Sequence, residues 1–172
     1  MLEGAIEPKA IGKHAKKLGF PAIAITDRNG LYGVMPFEDE ARSNGVQPII
    51  GMLLAIARPD SIAQGGFVRD WLALYAQDDA GYVNLCRLAS MAHLDRPEAH
   101  DAHVSFEQLT GLTGGLLALT GGGEGALARM FADGSMTRHC RIAPGCNPCF
   151  RSACISSLAA ATMQLKRPQR RR

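Results

Sequence analysis

The most informative part of the sequence lies between residues 18 and 33, which read LGFPAIAITDRNGLYG. Within it, residues 22–26 form a short apolar run rich in isoleucine, preceded by Phe20-Pro21. A continuous apolar run of this length, bounded by turn residues, is typical of a buried parallel strand. The Asp-Arg-Asn-Gly sequence at residues 27–30 favours a turn at the carboxyl end of that strand.

The flanking residues extend this strand into a β-turn-α-β pattern. Upstream, the spacing of apolar residues predicts an amphipathic helix with Pro8 in its first turn and a stop at Gly19. Downstream, the sequence predicts a helix over residues 35–43 and a strand over residues 48–57. The same patterning predicts further strands at 71–75 and 116–120, and further helices at 78–93 and 124–131. This alternation indicates an α/β protein of the class that builds parallel sheets and barrels.

The composition fits one folded domain. The chain has 172 residues, of which 47% are hydrophobic and 20% charged, which suits a globular α/β domain and excludes a disordered chain. The longest nearly unbroken apolar run, at residues 48–57, is about half of the roughly 20 residues needed to cross a bilayer. No secretory signal opens the sequence. We therefore expect a cytoplasmic protein without a membrane partner.

Charge and cysteine content change abruptly near residue 135. Residues 1–134 carry all 16 acidic and 11 of the 19 basic residues, a net charge of −5, whereas residues 135–172 carry the other eight basic residues and a charge of +8. Four of the five cysteines also lie after residue 135. The change predicts a domain over residues 1–134 and a separate basic, cysteine-rich tail. Our hypothesis for the tail is a disordered segment or the product of a shifted reading frame, which translating the coding DNA in the other two frames tests.

Three segments together resemble the PHP domain at the start of bacterial DNA polymerase III alpha subunits. The first combines LEGAI (residues 2–6), LGFPAIAITD (18–27), GLYG (30–33) and GVQPIIG (45–51). The second is GYVNLCRLAS (81–90) and the third is GLLALTG (115–121). Their order and spacing match the family over residues 2–134.

The resemblance implies a partial, distorted (β/α)7 barrel, truncated at both ends. The family normally opens with a strand that carries a His-x-His pair, and this sequence begins at Met1 without it. The parent protein would be a DNA-directed DNA polymerase, a nucleotidyltransferase that works on DNA with the other polymerase III subunits. Its polymerase site lies in later domains, so we expect a structural remnant. Some relatives of the domain are phosphoesterases or exonucleases, which leaves open an alternative, a stand-alone metal-dependent phosphoesterase.

The family's metal site guides the search for functional residues. Its members hold Zn²⁺, Mn²⁺ or Mg²⁺ at the carboxyl ends of strands, where the ions polarise a phosphoester and activate water. By the resemblance, Asp27 occupies a ligand position and is the one candidate metal ligand, a vestigial one. Arg28 stands where metal-binding members often have histidine, and Leu53 where they often have glutamate; neither side chain coordinates a metal. We therefore expect a degenerate site, with the Asp27 carboxylate accepting backbone N–H groups of the turn at 28–30 or pairing with Arg28.

Two other motifs are weaker. The glycine-rich residues 121–125 follow a strand and open a helix, as phosphate-binding loops do, but Ala126 replaces the last glycine of GxGxxG. A strand-to-helix turn is the favoured interpretation. In the tail, a Cys-x-x-Cys pair with nearby cysteine and histidine leaves a zinc site open, although the spacing is irregular. Its candidate ligands are His139, Cys140, Cys146, Cys149 and Cys154.

Overall fold

The computed structural model describes residues 6–58, 68–126 and 128–129. The helices are α1 (Pro8–Lys17), α2 (Val34–Ser43), α3 (Asp79–Leu94) and α4 (Phe106–Thr110), and the strands are β1 (Ala22–Arg28), β2 (Gln47–Ala57), β3 (Arg69–Ala76) and β4 (Leu116–Thr120). Every strand predicted from the sequence is present at nearly the predicted bounds. The tail at 135–172, with its predicted boundary and candidate zinc ligands, lies outside the described residues.

The four strands form one sheet in the order β1-β2-β3-β4. Strands β1 and β2 are parallel, which confirms the β-turn-α-β unit predicted around α2. Strand β3 runs antiparallel to both β2 and β4. The carboxyl ends of β1, β2 and β4 therefore lie at the same edge of the sheet as the start of β3; this edge is called the strand-end edge below.

One face of the sheet packs against the helices. The largest fully buried side chains of this layer come from β2, β3, α3 and the loop after α3, and they are Met52, Leu54, Leu74, Leu85, Leu88 and Val104. A second, smaller cluster joins Ile25 of β1 to Val34 and Phe37 of α2. Burying each such side chain stabilises the fold by about 1.5–3 kcal/mol. Helix α1 packs on α2 so closely that a Cβ at Gly12 would lie 2.7 Å from the carbonyl oxygen of Glu40.

The opposite face is called the open face, and none of its side chains belongs to either hydrophobic cluster of the described residues. Strand alternation assigns to it, among others, the larger side chains Thr26, Arg28, Ile49, Leu53, Trp71, Tyr75, Leu117 and Leu119. Ile49 and Leu117 are 37% and 36% exposed. A sheet with helices on one side and an apolar second face has the layering of a barrel wall. No helix in the described part of the chain is both long and apolar enough to cross a bilayer.

Local capping determines where α3 and α4 begin. The Asp78 carboxylate accepts the backbone N–H of Gly81 at 2.7 Å, which selects Asp78 over Asp79 as the predicted cap of α3. Helix α4, which sequence patterning missed because it is only five residues long, begins with a capping box between Ser105 and Gln108. That Ser-x-x-Gln pair was the available sequence signal.

Candidate functional site

The strand-end edge brings together the three residues at the family's ligand positions and two residues that the sequence did not single out. Asp27 and Arg28 end β1, Leu53 lies beside them on β2, Trp71 lies near the start of β3, and Glu124 follows β4. In proteins built on parallel strands, this edge is where ligands bind and where catalytic side chains collect. The chemistry of each side chain therefore indicates what the edge can do.

The Asp27 side chain lies on the helical face of the sheet. It is two residues beyond Ile25, which packs against α2, and its Oδ2 atom accepts the backbone N–H of Gly33 at 2.7 Å. Gly33 is the N-cap residue of α2, where the helix leaves its first N–H groups without helical partners. A carboxylate there also interacts favourably with the helix dipole. The prediction that Asp27 accepts a backbone N–H is confirmed, but the donor is Gly33 rather than a residue of the 28–30 turn.

Arg28 lies on the open face and joins three segments of the chain. Its Nη2 atom is 2.9 Å from Oε2 of Glu124, and its guanidinium carbon is 4.6 Å from the centre of the Trp71 ring. The arginine and glutamate side chains are 40% and 57% exposed. Solvent screening therefore limits the ion pair to about 0–1 kcal/mol, to which the cation–π contact adds about 0.5–1 kcal/mol.

The two positions where the family often has ligands are direct neighbours here. Arg28 and Leu53 are register partners on β1 and β2, so both side chains lie on the open face. A guanidinium carries no lone pair for a metal, a leucine has no donor atom, and the positive charge of Arg28 opposes a second cation. Within residues 6–58, 68–126 and 128–129, no three His, Cys, Asp or Glu side chains are grouped so as to hold a metal ion. The residues present do not fit the family's metal site.

Asn29 makes hydrogen bonds to three other segments at this edge, whereas the sequence pattern predicted only that it lies in a turn. It is 8% exposed and has a left-handed backbone with φ of 50°. Its side-chain oxygen accepts the N–H of Ala55 at 2.8 Å, and its side-chain nitrogen donates to the carbonyl of Ala102 at 2.8 Å. Its own carbonyl lies 2.9 Å from Nε2 of His93. Asn29 thus connects β1, β2, α3 and the loop after α3.

That loop extends the sheet beyond the end of β1. Val104 forms an isolated parallel bridge with Ile56. Its N–H donates to the carbonyl of Ala55, and its carbonyl accepts the N–H of Ala57. Strand β2 is longer than β1, and Val104 pairs with the part of β2 that β1 does not reach. Asn29 holds the junction between the two.

A second ionic group lies at the same edge. The Asp70 carboxylate receives two hydrogen bonds from Arg58, at 3.0 and 3.1 Å, and lies 3.2 Å from Nε of Arg129. Its side chain is only 14% exposed, so this pairing is less screened than that of Arg28. Next to it, Arg69 pairs with Asp101 at 2.5 Å. The charges along the edge are thus arranged as ion pairs between distant segments.

The glycine-rich turn has a packing explanation. Residues Gly122–Glu124 form a single 3₁₀ turn, and helical residues Ala126, Ala128 and Arg129 follow it, while the rest of the predicted helix lies outside the described residues. A Cβ at Gly121 would lie 2.3 Å from the carbonyl oxygen of Trp71. The strand-to-helix turn favoured from the sequence agrees with this geometry, and glycine is needed where the turn crosses β3.

Comparison with known proteins relates this architecture to a family. The sequence profile of the PHP domain matches residues 1–153, which is 19 residues beyond the boundary predicted at 134. The DNA polymerase III alpha subunit of Caulobacter vibrioides is 36% identical over 139 residues, covering 78% of this chain and 12% of the relative. An error-prone DNA polymerase of an Anaeromyxobacter species is 38% identical over 138 residues, covering 75% of this chain and 12% of the relative. The chain thus spans about an eighth of the length of these curated relatives.

Among solved structures, one similar chain is a putative metal-dependent phosphoesterase from Bifidobacterium adolescentis. It is 17% identical, with a TM-score of 0.40, over 52% of this chain and 29% of that chain.

Proposed function

Because the chain belongs to the PHP domain family, we propose that it serves DNA replication as the PHP domain of a DNA polymerase III alpha-type subunit, with a structural and not a catalytic role. The α/β sheet with helices on one face is part of a PHP-type barrel. The observation that supports the structural role is that Arg28 and Leu53, neither of which can bind a metal, are register partners at the strand-end edge. Metal-dependent phosphoester hydrolysis needs several donor side chains at that edge.

The remaining residues of the edge support the same role. Asp27, the one candidate ligand, is engaged with the N-terminus of α2 through Gly33. Asn29 and Asp70 connect segments that are distant in sequence. These contacts stabilise the fold. At this edge, hydrogen bonds and ion pairs between protein groups hold the strand ends and loops together. We further propose that the domain acts in the cytoplasm, with DNA and the other polymerase subunits as partners of the full-length protein.

A hydrolysis assay separates the structural role from the phosphoesterase alternative. The purified chain is incubated with p-nitrophenyl phosphate and with a single-stranded oligonucleotide, in Mg²⁺, Mn²⁺ or Zn²⁺. We expect the same background rate for the wild type and for Asp27→Ala. Metal-dependent hydrolysis that Asp27→Ala abolishes would establish a catalytic site and refute the structural role.

A chimera tests the link to replication. Residues 1–134 of this chain would replace the matching segment of the Caulobacter vibrioides alpha subunit, which is similar in sequence over this region. We expect the chimera to remain soluble and to retain DNA synthesis on a primed template, because the domain supports the polymerase without taking part in the chemistry. A matched chimera with Asn29→Ala, which damages the fold, is expected to lose solubility and activity together. A soluble chimera without DNA synthesis would contradict the proposal.

A further inference from the structure

We infer that one side of helix α1 is a binding surface for the phosphate backbone of duplex DNA. Four lysines form this surface, which is called the lysine row below: Lys9, Lys13, Lys16 and Lys17. With 3.6 residues per turn, their spacing places them within an arc of about 100° around the helix. All four residues are exposed. The assignment rests on the role in DNA replication proposed above, and it names the surface of the domain that contacts the DNA.

A different side of α1 packs against the rest of the domain. Ala15 is buried, and Ile11 packs against the small cluster between β1 and α2. A basic amphipathic helix binds a lipid surface by burying its apolar side there, and in α1 these apolar residues are already engaged. The lysine row therefore presents positive charge on a fixed support, which favours nucleic acid over lipid. Two apolar residues after the helix, Leu18 and Phe20, are exposed, so lipid binding is one outcome of the test below.

Contacts within the domain do not account for the lysine row. Among the described residues, none of the four lysines lies within ion-pair distance of a carboxylate. Lys16 and Lys17 suit the negative end of the helix dipole, but Lys9 lies in the first turn, at the positive end, and no acidic residue accompanies it. Lysines four residues apart also repel one another. An anion outside the domain would offset this repulsion.

The length and charge of the lysine row match a DNA strand. From Lys9 to Lys17 the helix rises by about 12 Å, and the phosphates of one strand follow each other at roughly 3.4 Å along the duplex axis, so the row can meet about three or four of them. Residues 1–134 carry a net charge of −5, whereas residues 6–20 contain four lysines and one acidic residue, Glu7. The negative field of DNA therefore orients the domain with α1 toward the phosphates. Contacts to phosphates read no bases, so binding is independent of sequence.

The salt dependence of DNA binding by the full chain tests this surface. Binding to a fluorescent DNA duplex is measured by anisotropy over a range of salt concentrations. Each phosphate contact contributes about −0.9 to the slope of log K against log salt concentration, so Lys9→Gln with Lys13→Gln should reduce the slope by about two. The matched control is Arg42→Gln with Arg87→Gln, which removes the same charge from two other exposed residues and should leave the slope unchanged. Residues 135–172, with their charge of +8, are the same in all of these chains.

Acetylation of the wild type provides a measurement that needs no variant. We expect DNA to protect Lys9 and Lys13 from acetylation, as mass spectrometry will detect. Absence of this protection, or an equal loss of slope in the two double variants, would overturn the assignment. Binding to phosphatidylserine vesicles that requires Lys9 and Lys13, while binding to DNA does not, would overturn it in favour of a lipid surface. Neither the hydrolysis assay nor the chimera depends on these results, so failure of this surface is distinguishable from failure of the proposed function.

Discussion

Replacing Asn29 with alanine removes the junction at the strand-end edge. The substitution deletes the acceptor for the buried N–H of Ala55 and the donor for the carbonyl of Ala102. It also forces a residue with a Cβ and no local polar group to keep a φ of 50°. Each of these changes has a separate cost.

The magnitude follows from the contacts. A buried donor left without a partner costs about 1–3 kcal/mol, and loss of the half-buried hydrogen bond to Ala102 costs about 0.5–1.5 kcal/mol. The left-handed backbone adds about 1 kcal/mol for alanine. We therefore expect Asn29→Ala to lower the free energy of unfolding by about 3–5 kcal/mol, a large part of the roughly 5–15 kcal/mol typical of a domain.

Urea denaturation followed by circular dichroism measures this change. Asn29→Gly tests the backbone contribution, because glycine adopts positive φ freely, and it should be less harmful than alanine by about 1 kcal/mol. The matched control is Asn84→Ala, which removes one solvent-exposed hydrogen bond from the side chain to the carbonyl of Gly114 and should cost under about 1.5 kcal/mol. Equal losses for Asn29→Ala and Asn84→Ala would refute the assignment of Asn29 as the junction.

Three further predictions concern packing, charge and pH. Gly81→Ala should prevent stable folding, because its Cβ would lie 1.9 Å from the carbonyl oxygen of Gly115, whereas Gly123→Ala has open space and should leave the urea midpoint unchanged. Asp70→Asn should destabilise by about 1–3 kcal/mol, since two arginines lose their charged partner, as urea denaturation at low and high salt will measure. Burial raises the pKa of the Tyr75 hydroxyl above its ordinary value of 10.0. The neutral hydroxyl therefore contributes stability that is fully present below pH 10 and is lost as the pH rises through the higher pKa of the folded state. Absorbance titration of the wild type and of Tyr75→Phe measures this shift.

Residues near one another in sequence carried most of the fold prediction. The apolar run at 22–26 and the turn after it predicted β1 correctly, and the helix pattern after the turn predicted its parallel pairing with β2. Helix α4 was missed because five residues give too little periodicity, although Ser105 and Gln108 were a usable cap signal. The antiparallel direction of β3 was not predicted, since the apolar run at residues 71–75 has the same composition in either direction.

The site was predictable in its residue types and not in its contacts. The resemblance to the family indicated that Arg28 and Leu53 stand at ligand positions but have no side-chain atom that can bind a metal. Which face each side chain takes, and what it touches, depended on the register of β1 against β2. Asp27 therefore contacts α2, and Arg28, one residue later, contacts β3 and the turn after β4.

The sequence by itself determined the order and type of the main elements and the family of the chain, because helices and strands are encoded by local periodicity. Only the tertiary structure decided that Asn29 joins four segments and that Arg28 lies between Trp71 and Glu124. The partners of Asn29 are 26, 64 and 73 residues away, and Glu124 is 96 residues from Arg28. Contacts at such separations depend on how the strands pair and how the helices pack on them, and no local pattern encodes that arrangement.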